Sequence, residues 1–372
     1  MNSDSSAAPP VPPLIFDAHL DLAMNAIEWN RDLTRPLRDI RAHEAHLRDK
    51  PDRGRGTVCL PELRRGGVRV VVATLIARIE HNAFSPVAGW ASPTQAWAMT
   101  QGQRAWYRAM EEAGEMVQLR DLSSLDGHLA RLARPIAHGE PDPVGYILSL
   151  EGADSVRNLR DLERAWADGL RAIGPAHYGP GVYANGTDAT GGFNARGKEL
   201  LREMDRLGYI LDATHLCDDC FWEALDIFGG PVWASHHNCR ALVPHNRQLS
   251  DEMIRALVQR GAVIGAALDA WMIVPGWVRR QSTPESTGVR LAHVVDHIDR
   301  VCQIAGNARH AGIGSDLDGA FGTEQSPGDL DSIADLTRIP ELLRERGYAP
   351  EDVDAIRSRN FLGFVRGAWS RT

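Results

Sequence analysis

In the stretch LIFDAHLDL, residues 14–22, an apolar run carries Asp17, His19 and Asp21 at alternate positions. Alternate side chains of an extended strand share a face, so two carboxylates and an imidazole would project together. Similar groups return along the chain: Glu151 in SLEGAD, His177 in IGPAHY, His215 in LDATHL, His236 and His237 in WASHHN, and Asp316 and Asp318 in GIGSDLDG. Imidazoles and carboxylates suit zinc-like ions, and there are more of them than the three or four ligands one ion needs. Two metals bridged by a carboxylate and a hydroxide would use the surplus. Singly, each residue has an ordinary reading as a loop residue or a satisfied polar group. The weight lies in their recurrence at the same kind of place.

That place is the end of a strand. Apolar or β-rich segments at 14–20, 68–76, 144–150, 170–175, 208–213, 231–235, 262–268 and 311–315 alternate with helical stretches at 94–118, 157–168, 195–207, 218–228, 250–260 and 289–305. Two more, 331–345 and 351–369, follow the last strand. Eight strands separated by helices is the count of an α/β protein of the TIM-type (β/α)8 barrel class. A doubly wound open sheet gives the same alternation, and periodicity does not separate the two. In a parallel barrel every strand C-terminus opens on one face, so the ionisable groups would meet in one mouth. The long, charged first connection, 23–67, predicts an excursion over that mouth, and the proline-rich residues 1–13 predict a disordered tail before a single catalytic domain, 14–372.

Composition narrows the partners. The chain has 372 residues, 43% hydrophobic and 24% charged, as ordinary globular proteins do. A net charge of −8 with no basic block argues against a nucleic-acid surface. The absence of a secretory signal pattern and of any bilayer-length apolar run predicts no membrane partner and a cytoplasmic location. The five cysteines are scattered, unlike a disulfide framework. Cys217-Asp-Asp-Cys220 has no second CxxC, so two buried or loop thiols are expected there in preference to a structural zinc.

These residues resemble the membrane (renal) dipeptidase family, zinc metallopeptidases of the metal-dependent hydrolase (amidohydrolase-like) barrel superfamily. DAHLDL matches its His-x-Asp strand, EGAD its bridging-glutamate turn, ATHL and ASHH its two later histidines, and GSDLDG its last strand end. HNRQLSDE looks like the family's arginine segment, and VVDHIDRVCQIAG like the helix before the last strand. The order of the motifs, with His215 and His236 standing 21 positions apart, makes the set specific. The resemblance spans residue 14 to about 365 and points to a bacterial relative.

The resemblance implies two Zn2+ ions per chain, one held by His19 and Asp21, the other by His215 and His236, with Glu151 and a hydroxide bridging them. It implies Asp316 as the carrier of the hydroxide's proton to the leaving amine and as a substrate contact. His177 would contact substrate and stabilise the oxyanion, Arg247 would grip the terminal carboxylate, and Trp271 would stand in for an aromatic pocket residue. Related barrels bridge their metals with a carboxylated lysine. Here Lys50 and Lys198 end no strand, which leaves Glu151. Asp17 is expected to orient a ligand, Asp318 to bond the loop after the last strand, and His237 to face away from His236. The expected reaction is hydrolysis of dipeptides, L-Xaa-L-Xaa or L-Xaa-D-Xaa, and the family's habit allows a homodimer. An amidase or lactonase acting on N-acyl amino acids or β-lactam-like rings is the alternative, and a non-catalytic binding barrel a weaker one. The loop 269–288 and the segments 23–56 and 84–97 would set substrate choice.

Overall fold

The computed structural model describes residues 13–79, 89–134, 140 and 142–371. The expected tail, apart from Pro13, and the first part of the 84–97 segment lie outside them. Eight parallel strands form the centre: β1 (Ile15–Leu20), β2 (Val68–Ile76), β3 (Val144–Glu151), β4 (Leu170–Gly174), β5 (Ile210–Asp212), β6 (Val232–Trp233), β7 (Ile264–Ala266) and β8 (Ala311–Ile313). Their order around the sheet is β7-β8-β1-β2-β3-β4-β5-β6, and a parallel bridge between Ala234 and Ile264 joins the two ends. The result is a (β/α)8 barrel. All eight expected strands are present. The closure is tight: a Cβ on Gly314 would lie 1.7 Å from the Ser235 carbonyl oxygen and one on Gly265 2.0 Å from it, so neither position admits a side chain.

Strands buried on both faces read as continuous apolar runs, and VRVVVATLI of β2 is buried throughout. One apolar layer lies between strands and helices, while a second fills the barrel around Phe16, Val70, Val72 and Trp233. The C-terminal helix Asn360–Trp369 closes this inner layer, with Phe361 stacked on Phe16 at 5.1 Å. Local signals set the helix limits: the Asn194 side chain caps Gly197 N–H, and Gly208, at φ 86°, ends that helix just before β5.

Three expectations need correction. The helix expected over 94–118 stops at Glu112, because Gly114 takes a positive φ and the chain then pairs Met116–Gln118 beside β3. A helix at Leu122–Leu132, with a capping box between Asp121 and Ser124, had no counterpart in the periodicity reading. The helix expected over 351–369 is interrupted by a π-helical turn at Ala355–Arg359. The first connection carries short helices at Leu22–Ile27, Leu37–Glu44 and Leu60–Arg65, and its Pro51 and Arg55 line the cavity at the strand ends.

Candidate metal centre and substrate cavity

The strand ends converge as the barrel geometry requires. His19 comes from β1, Asp21 from the residue after it, Glu151 from the end of β3, and His215, His236 and Asp316 from the turns after β5, β6 and β8. His19 Nε2 lies 3.5 Å from Glu151 Oε2 and 3.8 Å from both Asp21 Oδ1 and Asp316 Oδ1. On the other side, His215 Nε2 and His236 Nε2 stand 3.3 Å and 3.4 Å from Glu151 Oε1 and 3.3 Å from each other. The two oxygens of Glu151 therefore face different partners.

The expected alternation in β1 does not hold. Its pairing with β2 runs Phe16–Val70, Asp17–Val71, then Leu20–Ala73, an irregularity that spends an extra residue of β1. His19 is aimed at the mouth, whereas Asp17 Oδ1 turns back to accept from the backbone N–H of His19 and of Ser315. Asp17 thus staples β1 to the end of β8 and acts on the backbone of His19, not on its ring. Asp212 does the same between β5 and β6, accepting from the N–H of Thr214 and Ser235. The sequence carried this signal as a repeat, Asp-Ala-His at 17–19 and Asp-Ala-Thr-His at 212–215.

Hydroxyls hold the rings from behind. Thr187 Oγ1 lies 3.0 Å from His215 Nδ1, and Ser235 Oγ lies 2.9 Å from His236 Nδ1 and 3.4 Å from His19 Nδ1. All three rings thereby present Nε2 to Glu151. Thr74 donates to Asp21 Oδ1. None of these supports was singled out by the sequence reading. His215 and Asp316 both adopt left-handed backbone, at φ 66° and 57°, a conformation that costs non-glycine residues on the order of 1–3 kcal/mol and clusters at functional sites.

Electrostatics fit a cation. Burial holds His215 and His236 well below the usual imidazole range, which leaves both rings uncharged, the form a metal requires. Burial also opposes charge on His19, but Glu151, Asp21 and Asp316 outweigh it and push the ring up to about 10. Burial pushes Asp21 up to about 7 and Asp316 well above the carboxylate range; opposing burial, chiefly the charge of His19 holds Glu151 well below it. His19 Nε2 is buried without a hydrogen-bond partner among the described residues, although three carboxylates surround it. Three groups, His19-Asp21-Glu151, Glu151-His215-His236 and His19-His236-Asp316, each offer donor atoms within 4.8 Å of one another. Imidazole nitrogen with carboxylate oxygen is a zinc-type donor set, and the residues present fit divalent metal.

The cluster forms the floor of a cavity of about 580 Å³, within the range of small-molecule sites. His177 lines it, with Nε2 3.9 Å from Glu151 Oε1 and the ring lowered to about 4 by burial. Tyr178, which sequence reading passed over, packs its ring on His215 and His177 at 5.0 Å. Arg247 is 2% exposed: Nη2 donates to the His236 carbonyl at 3.0 Å, while Nε and Nη1, both buried, meet no partner among the described residues. Trp271 stands behind the wall, its ring against His245 and beneath the Arg279 guanidinium at 4.3 Å. His237 is buried and Asp318 bonds Thr57 and Val58. Cys217 and Cys220 are buried free thiols whose Sγ atoms donate to the Gly191 carbonyl.

Comparison with known proteins gives the same picture. The family model described as membrane dipeptidase matches residues 12–368. A Klebsiella pneumoniae protein named for the pqqA 5'region is 32% identical over 241 residues, which are 62% of this chain and 85% of that one. The dipeptidase tcpJ of Claviceps purpurea is 28% identical over 233 residues, 60% of this chain and 51% of its own, so the match spans about half of that relative. In fold, the chain is similar to a Rhodobacter sphaeroides metallopeptidase solved with a phosphinate mimic of L-Ala-D-Ala: TM-score 0.74, 20% identity, 96% of this chain and 100% of that one.

Proposed function

The chain belongs to the membrane dipeptidase family, and from that premise we propose that it is a binuclear zinc dipeptidase hydrolysing the amide bond of L-Xaa-L-Xaa or L-Xaa-D-Xaa substrates. His19 and Asp21 would hold one ion, His215 and His236 the other, and Glu151, whose two oxygens face the two sets, would bridge them. Bound there, the metals would supply Lewis acidity toward the scissile carbonyl and a low pKa for the attacking water.

The observation that carries the reading is Arg247. A buried guanidinium on the wall of the same cavity, with Nη1 unmatched and one Nη2 N–H left beside the bond to His236, offers its Nη1–Nη2 edge to a terminal carboxylate. It fixes the substrate end for end, which converts an encounter into an oriented complex. His177, neutral through burial, offers an N–H to the oxygen on which charge develops. Asp316 takes the proton of the attacking water and returns it to the leaving nitrogen, a task suited to a carboxyl whose pKa burial has raised. Trp271 serves substrate binding indirectly, by holding Arg279 in place.

The proposed unit is a single domain over residues 14–372. Among the described residues no helix is long and apolar enough to cross a membrane. Five buried free cysteines support a reducing compartment, the cytoplasm.

The test is release of free amino acids from Ala-Ala and from Ala-Ala amide by metal-replete protein. Ala-Ala should be cleaved and its amide cleaved about 100-fold less efficiently, the scale expected when a buried charged group loses its partner. The Arg247→Ala variant should lose this discrimination. Failure to cleave any of a set of dipeptides would overturn the reading.

A further inference from the structure

The cavity that contains the metal cluster also contains a carboxylate with no assigned task. Glu324 belongs to the short 3-10 turn Thr323–Gln325 in the loop after β8, eight positions beyond Asp316. Its Oε1 accepts from Gly322 N–H at 3.0 Å, which fixes the carboxylate, while Oε2 is buried and meets no partner among the described residues. Burial pushes the group up to about 7, and the Arg55 guanidinium, which lines the same cavity, only partly offsets it.

The other acids of the cavity are accounted for. Asp21 and Glu151 belong to the metal cluster, and Asp316 lies against His19. Asp269 is saturated, accepting from Trp271 Nε1 at 2.6 Å and from Gln325 Nε2 at 2.8 Å. Asp188, about half exposed, faces His245 at 3.8 Å. Glu324 alone combines a fixed orientation with a buried, unmatched oxygen on the wall.

A dipeptide has two charged ends, and Arg247 suits only one of them. We infer that Glu324 is a specificity residue that receives the ammonium of the substrate's N-terminal residue, so that the cavity reads both ends of a zwitterion. This inference rests on the dipeptidase reading. Its chemistry is that of a charge-assisted hydrogen bond: an ammonium donates to Oε2 and restores the ionised carboxylate, whereas an acylated nitrogen leaves a buried acid unpaired.

The experiment compares wild-type protein with Glu324→Gln and Glu324→Asp on Ala-Ala, Lys-Ala and N-acetyl-Ala-Ala, recording KM and kcat separately and thermal midpoints for each variant. In wild type, Ala-Ala should exceed N-acetyl-Ala-Ala in kcat/KM by about 100-fold. Glu324→Gln should raise KM for Ala-Ala by about 10-fold or more, the size of one charge-assisted hydrogen bond, with kcat little changed and the acetylated substrate unaffected. Glu324→Asp should recover part of the loss. A fall for Ala-Ala assigns the residue to the α-ammonium, and a fall confined to Lys-Ala assigns it to a basic side chain; both keep the ammonium chemistry. Equal loss on charged and acetylated substrates, or none, would overturn the inference while dipeptide hydrolysis by wild type stands. Absence of hydrolysis in wild type would instead overturn the dipeptidase reading and this inference with it.

Discussion

Two buried polar clusters sit side by side at the mouth, and they differ in how completely their atoms are matched. Around Arg31 the guanidinium bonds Glu44 with Nε and Nη2 at 2.9 and 3.1 Å, Asp52 at 2.8 Å and Asn25 at 2.7 Å, and reaches Asp318 at 3.4 Å. Asp318 in turn accepts from Thr57 and Val58. Around Glu151, by contrast, His19 Nε2 and two nitrogens of Arg247 are buried and unmatched. A single residue, Leu317, separates Asp318 of the first cluster from Asp316 of the second. A buried polar group left unsatisfied is costly, so matched groups mark what holds the fold and unmatched ones mark what awaits a ligand. The saturated cluster ties the long first connection down over the barrel; the unsaturated one keeps its atoms free for chemistry.

Exchange of one residue on either side should break this contrast in opposite ways. The largest effect is expected from Asp316→Asn, which removes the proposed proton carrier: kcat should fall by about 100- to 10,000-fold, with the thermal midpoint unchanged or raised because a crowded buried carboxyl is gone. On the saturated side, Arg31→Met should leave Asp52 and Asp318 without their cation and Glu44 with Arg53 alone, and lower stability by about 3–5 kcal/mol in urea unfolding, while kcat of the folded fraction holds. A smaller effect should follow from Thr187→Val, which frees the His215 ring: metal affinity should drop about 10- to 100-fold in a chelator titration.

The smallest is a pH effect. Burial pushes Glu44 up, yet its bonds to Arg31 and to Gly54 N–H outweigh this and hold it below the ordinary value. A depressed carboxyl stabilises the fold above its unfolded pKa, near 4.3, and that contribution is lost as pH falls through the folded value. Glu44→Gln should therefore flatten the loss of stability below about pH 4.3, and an unchanged acid limb would place the effect elsewhere.

Much of this was legible in sequence, for a physical reason. Strands buried on both faces, such as VRVVVATLI, announce themselves by composition, and side chains that are costly to bury stand out against them at His19, Glu151, His215 and Asp316. What stayed hidden depends on contacts distant in the chain. The irregularity between Asp17 and Leu20 needs β2 as its ruler, Thr187 carries no local mark of its partner 28 residues away, and the role of Arg31 appears only when Glu44, Asp52 and Asp318 close around it. The strand at Met116–Gln118 was read as helix because a three-residue element has too few positions to show a period.

The central claim is that Glu151 joins two cation sites in one cluster, and metal content tests it most directly. Elemental analysis of metal-replete protein should give two zinc ions per chain, and Glu151→Ala should lower that count while the barrel remains folded by circular dichroism. Fewer than two ions in replete wild-type protein, or a full complement in Glu151→Ala, would contradict the account.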